Sequence, residues 1–237
     1  QMNELFGREV MIESISGTIV NQIELNNVSI ARGKKLSEGS IIKAKQVIIN
    51  YNPFKLATSR GNIVPAISKI TIVEPDIVVE RSADDRWNMA ELIPKVKNES
   101  GKDVPLNFNA DIRIIKGYGI YLDHMGWGEP LNGRVFTSKI RDLNAQIKVS
   151  GNRISLNCDA TSVIDDAIAL AKVKGNVNIR NGKYNFVANI KDVDITKWGY
   201  YTLNIPDFKP LSGKSDMKLT MTNPPPRKKG QPILFDG

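Results

Sequence analysis

Apolar and polar residues alternate with a period of two along most of the chain. That period admits strands and leaves little room for long helices. Residues 143–150, "LNAQIKVS", place Leu143, Ala145, Ile147 and Val149 on one face and Asn144, Gln146, Lys148 and Ser150 on the other. Residues 153–160, "RISLNCDA", repeat the pattern with Ile154, Leu156, Cys158 and Ala160 inward. Between the two runs, Gly151-Asn152 has the chemistry of a two-residue hairpin turn. A second hairpin is expected over 173–190, with Val173, Val177 and Ile179 before Asn181-Gly182 and Tyr184, Phe186, Ala188 and Ile190 after it. "SDMKLTM" adds Met217, Leu219 and Met221, and "IELNNVSI" adds Ile23, Leu25, Val28 and Ile30 around a candidate bulge at Asn26-Asn27.

Strands of this kind have one apolar and one wet face, and the apolar face needs a cover. Helices cannot supply it. "NPFKLATSRG" reads as a short helix with Asn52 as cap, Pro53 in its first turn and Gly61 beyond its end. "WNMAELIP" reads as one turn, with Asn88 and Glu91 in a capping-box relation. "DITKWGYYTL" reads as another turn; "IDDAIALA" at 164–171 has a composition that suits a helix, but Ala167, Ala169 and Ala171 also alternate into the strand that follows, which favours a strand. The apolar faces must therefore meet one another, in a sandwich, a barrel or a sheet folded over itself. The organisation expected is an N-terminal β segment with short capping helices over 1–94, a connector over 95–105, and continuing β repeats over 106–237. The prolines of "TNPPPRKKG" mark a loop, and "QPILFDG" begins a further strand pattern.

Chemistry finds few candidates. The 237 residues hold one cysteine, Cys158, and one histidine, His124, which leaves no set for a cysteine-rich or histidine-based metal site. Cys158 sits in the apolar phase of its strand, where a thiol is a small inert hydrophobe. His124 falls in a loop sequence with Asp123 and Glu129. Asp84-Asp85 and Asp165-Asp166 read as turn residues rather than acid–base pairs. No enzyme activity, cofactor or metal is expected. The formal net charge of +8 suits a solvated basic face or attraction to an anionic membrane surface. No aromatic-plus-basic signature points to nucleic acid. No apolar run approaches the ~20 residues of a membrane-spanning helix.

Several stretches carry a family resemblance. "FGREVMIESISGTIVNQIELNNVSIARG", "IIKAKQVIINYNPFKL" and "ISKITIVEPDIVVERSADDRWNMAELI" resemble the N-terminal part of the AsmA-like and TamB families of envelope proteins from bacteria with two membranes. "VDITKWGYYTLNIPDFKPLSGKSDMKLTM" is similar to their repeat, a helical turn followed by a linker, a glycine and a new strand. The resemblance is densest over 8–93. It implies an all-β, elongated, curled antiparallel or mixed sheet that forms an open groove with a few short helices. It also implies a periplasmic place in the cell envelope, anchored in the inner membrane by a helix that precedes this chain. The implied role is the movement of phospholipids between inner and outer membranes.

On that reading the inward residues line a groove for acyl chains. They are Ile23, Leu25, Val47, Ile49, Ile70, Ile72, Ile77, Val79, Ile112, Ile114, Ile120, Leu122, Ile147, Val149, Ile154, Leu156, Val177, Ile179, Phe186, Ile190, Met217 and Leu219. Trp87 and Asn88 are expected to cap the groove near its first strands. A second class of function stays open, an assembly factor that pairs a sheet edge with an outer-membrane β-barrel protein. A β-solenoid enzyme acting on polysaccharide is disfavoured, because no wet face gathers carboxylates.

Overall fold

The computed structural model describes residues 3, 7–18, 20–58, 64–84, 86–89, 95–97, 103–105, 109–124, 135–164, 167–178, 181, 183–197 and 212–222. Strands hold 75% of them. The expected all-β class, a curled and unclosed sheet with a few short helices, is what the chain adopts. Among the described residues twelve strands follow in order: β1 (Val10–Thr18), β2 (Gln22–Ala31), β3 (Ser40–Tyr51), β4 (Ile67–Arg81), β5 (Lys95–Lys97), β6 (Asp103–Pro105), β7 (Ala110–Asp123), β8 (Phe136–Ser150), β9 (Arg153–Ile164), β10 (Ala167–Asn178), β11 (Lys183–Asp194) and β12 (Lys214–Thr222). Helix α1 (Pro53–Thr58) follows β3, and Asn52 Oδ1 accepts the Lys55 N–H at 3.1 Å, the cap that the sequence predicts.

Ten strands form one sheet in the order β1-β2-β3-β4-β7-β8-β9-β10-β11-β12. Every neighbour pair is antiparallel except β4 and β7, which run parallel. Antiparallel neighbours need no crossover: the chain turns back tightly at Gly151 (φ 54°) between β8 and β9, and through longer connections after β3, β7 and β11. The parallel pair instead needs a crossover from Arg81 back to Ala110. Residues 95–105, expected as a plain connector, lie within it and hold the two-stranded β5–β6 ribbon. The segments on either side of it join in a single sheet. "IDDAIALA" enters β10 from Ala167, as its alternating alanines predict.

Strict alternation fails along one line. Non-glycine residues with positive φ occur inside strands at Asn27 (49°), Glu74 (46°), Lys116 (52°) and Asp142 (51°), with Asp192 (59°) in β11. Such residues mark β-bulges, which kink the strand and move the following side chains to the other face. Gly117 proves the switch. A Cβ there would lie 3.1 Å from the Ile114 side chain and 3.2 Å from those of Leu143 and Pro75. Ile114 and Gly117 thus share a face although they are three residues apart.

The same skip occurs in register across β1 to β4, because Ile12↔Val28↔Ala44↔Pro75 and Ile15↔Leu25↔Val47↔Ile72 lie on one face. The bulges therefore make a fold line that runs across the strands. At its floor Val28, Ala44, Pro75 and Gly117 are buried. The described residues place no second layer over them, so their burial means that the two halves of the sheet rise around them as walls. Small side chains suit such a floor.

Candidate functional site: the inner face

Register carries two apolar rows across the sheet. One runs Ile15–Leu25–Val47–Ile72–Ile114–Ala145–Cys158–Val173–Ala188–Leu219, one residue from each of the ten strands. The next runs Ile23–Ile49–Ile70–Ile112–Ile147–Leu156–Gly175–Phe186–Met221. Paired residues in a sheet point to the same side, so both rows line the inner face. Val149, Ile154 and Val177 begin a third row; Ile77 and Val79 lie on the same face beyond the fold line, and Ile190 pairs with Met217 on that face next to the first row, before the bulge at Asp192. Most of these side chains are only half-buried. The outer face behind the first two rows is polar, with Gln46 Nε2 donating to Glu24 at 3.1 Å and Gln146 Nε2 to Asp111 at 3.1 Å.

Two of the expected lining residues are on the wrong side. Ile120 and Leu122 follow the bulge at Lys116, and that extra residue turns them outward, beside Val78 and Glu80 of β4. Their inward places are taken by Gly119, Tyr121 and Asp123. Ile179 lies outside the described residues. The same shift turns Tyr118 and Ile120 of β7 outward, where both are exposed; Ile168 and Leu170 of β10 are exposed on the outer face too, by plain alternation with Ala167, Ala169 and Ala171.

Cys158 stands mid-row between Ala145 and Val173. Burial, aided by the neighbouring Asp159 charge, pushes its thiol up to about 11. It is protonated at neutral pH and a poor nucleophile.

Trp87 closes one lip of the trough. After β4 the chain turns tightly, with Ser82 N–H donating to the Arg86 carbonyl at 2.8 Å, and an isolated bridge pairs Arg81 with Trp87. The indole is thereby returned over the inner face. It stacks on Tyr121 with centroids 6.1 Å apart and planes 14° apart, and the Arg81 guanidinium carbon lies 5.5 Å from its ring. Below it, Arg81 pairs with the buried Asp123 at 3.5 Å, and the Tyr121 hydroxyl donates to Asp123 at 2.8 Å. Trp87 is therefore a lid on the ends of β4 and β7, in the middle of the strand order. It also remains 41% exposed.

Asn88 serves the strand rather than a helix start. Its Oδ1 accepts the Glu80 N–H at 2.9 Å and its Nδ2 donates to the Val78 carbonyl at 2.8 Å, so its carboxamide takes the place of a neighbouring strand. Glu91, its expected capping partner, lies outside the described residues. On the outer side, Glu80 accepts from Arg32 and meets His124 Nε2 at 2.8 Å. Burial works to raise the Glu80 carboxyl, but the hydrogen bonds and charges of Arg32 and His124 outweigh it and hold the group below its ordinary value.

These contacts set an order of effects. Trp87→Ala should cost about 1–2 kcal/mol, less than the full loss of a core aromatic, because the ring is part-exposed. Asn88→Ala should cost about as much, since two backbone groups lose their partner. Urea unfolding of both variants, read by far-UV circular dichroism, checks the pair; a neutral Asn88→Ala would show that solvent replaces the carboxamide.

Among the described residues no group of three or more His, Cys, Asp or Glu side chains could hold a metal ion, and no helix is long and apolar enough to cross a membrane. No protein-family model and no curated protein matches the chain.

Proposed function

We propose that the protein carries phospholipids across the periplasm, between inner and outer membranes, by shielding their acyl chains in the trough. The observation that supports this most is the pair of apolar rows that run unbroken across the sheet on a face left half-open. Exposing a methylene to water costs about 0.8 kcal/mol, so a chain of ~16 carbons crossing bare meets a barrier on the order of 12 kcal/mol. A trough removes most of that cost while the headgroup stays in water at the open side. No dedicated pocket is required, only an apolar strip maintained from strand to strand. The N-terminal likeness to AsmA-like and TamB proteins supports the envelope setting and the inner-membrane anchor. The process is transfer without bond making, which agrees with two inner rows built mostly of aliphatic side chains.

Cys158 offers a native probe. Its alkylation by iodoacetamide at pH 8 should be slow in the free protein, and slower by several-fold once phospholipid is loaded, because it lies midway along the first row. Lipid bound, as seen by mass spectrometry, with an unchanged alkylation rate would place the acyl chains elsewhere. Failure of the protein to take up any phospholipid would overturn the reading.

A second reading rests on the two edge strands of the sheet among the described residues, β1 and β12. Unpaired edges can add a strand from a partner, and an outer-membrane β-barrel protein is the partner this reading names. A Thr220→Pro change that spares lipid loading but abolishes a partner complex would favour it.

A further inference from the structure

The three most exposed large apolar side chains among the described residues gather at one corner of the sheet. They are Phe54 at 82%, and Val20 and Ile15 at 68% each. Val20 is at the tip of the β1–β2 turn, and Phe54 is in α1, directly after β3. The Tyr51 N–H donates to the Asn21 carbonyl at 3.0 Å and joins these two tips. Ile15 lies three residues before the end of β1, on the edge strand.

Isolated exposed apolar residues are ordinary. Two protruding tips held side by side by a backbone hydrogen bond, each carrying a nearly bare apolar side chain, are not. The charge pattern points the same way. Residues 18–22, "TIVNQ", and 50–58, "NYNPFKLAT", contain Lys55 and no carboxylate. Lys55 is exposed beside Phe54. The nearest acid on β2, Glu24, is held on the outer face by the carboxamides of Gln22 and Gln46.

We infer that the β1–β2 turn and helix α1 insert Val20 and Phe54 into the interface of an anionic bilayer, with Lys55 at the level of the lipid phosphates. Aromatic and aliphatic tips beside a lysine are the composition that favours this depth. A carboxylate-free corner on a chain of net charge +8 favours an anionic surface. The corner lies at the sheet edge where the first apolar row begins with Ile15, so insertion there sets the open start of the trough against the membrane. The inference stands on the corner alone and holds whether or not the inner face carries lipid.

Flotation with vesicles tests it. Wild-type protein should float with phosphatidylethanolamine–phosphatidylglycerol vesicles. Val20→Ser/Phe54→Ser should bind roughly ten-fold or more weakly, from the apolar surface lost to the interface. Its melting curve should be unchanged, since both side chains are exposed in the folded protein. Lys55→Glu should weaken binding to the anionic vesicles and not to phosphatidylcholine. Ile168→Ser/Leu170→Ser, on the outer wall, should float like wild type. The inference is overturned if the wild-type protein stays unbound, if the corner variant floats undiminished, or if the outer-wall variant alone loses binding. A corner variant that no longer floats but still takes up detergent-solubilised phospholipid, with Cys158 protected, separates membrane docking from carriage.

Discussion

Asp123→Ala should destabilise the protein by about 3–5 kcal/mol, the range for stranding one member of a buried ion pair. The carboxylate is 1% exposed, accepts from the Tyr121 hydroxyl and pairs with Arg81, whose own side chain is only 16% exposed. Removing it leaves a guanidinium at the lip with little water to solvate it. Arg81→Leu/Asp123→Leu together should recover most of the loss, because the penalty belongs to the unpaired charge rather than to the missing attraction. Denaturant midpoints for the single and double variants decide this. A double variant as unstable as the single would move the explanation to the Trp87–Tyr121 stack above the pair.

Ile147→Asp/Leu156→Asp should fold and yet fail to load lipid. The two residues face each other across β8 and β9 in the second apolar row. In a dry core, two adjacent unpaired carboxylates would unfold the sheet, since nothing there could solvate them. In the trough both positions are half-buried, so the carboxylates can turn toward the open side. A cost of about 1–2 kcal/mol each is expected, within the ordinary range for point changes. Acyl chains, however, would meet a polar break in the strip. Outer-face controls at the adjacent positions, Lys148→Glu and Asn157→Asp, should be neutral in both stability and loading. Soluble yield and melting temperature report folding; phospholipid retained through purification reports loading. Loss of folding would mean a closed core, and a folded variant that loads normally would sink the carrier reading.

The strands and most of their inward residues were legible because alternation reports a half-buried face directly. Ile23, Leu25, Val47, Ile49, Ile70, Ile72, Ile112, Ile114, Ile147 and Leu156 fall on one face as their spacing requires. The bulges were legible only where polarity exposed them. Asn26-Asn27 in β2 is a polar doublet between apolar residues, and Asn27 takes positive φ there. In β7 the sequence around the bulge is "IIKGYGIYL", apolar in both phases, so the skip at Lys116 leaves no trace and Ile120 and Leu122 are misassigned. The lid was half legible. Trp87 and Asn88 stand out by type, but their partners, Tyr121, Asp123 and the backbone of Val78 and Glu80, come from chain turns and from the crossover that brings β7 beside β4. No local pattern encodes that parallel pairing.

The fold line has a geometric consequence. Because it runs across the strands, the trough lengthens only by the addition of strands, each contributing the interstrand spacing of about 4.8 Å. The nine spacings of the ten-stranded sheet make a channel on the order of 43 Å, longer than the ~30 Å hydrocarbon thickness of a bilayer. Strand length sets how high the walls stand; strand number sets how long the apolar strip runs. Reach and cross-section are thereby independent variables in this architecture, and an insertion of one hairpin changes the first by about 10 Å while leaving the second untouched.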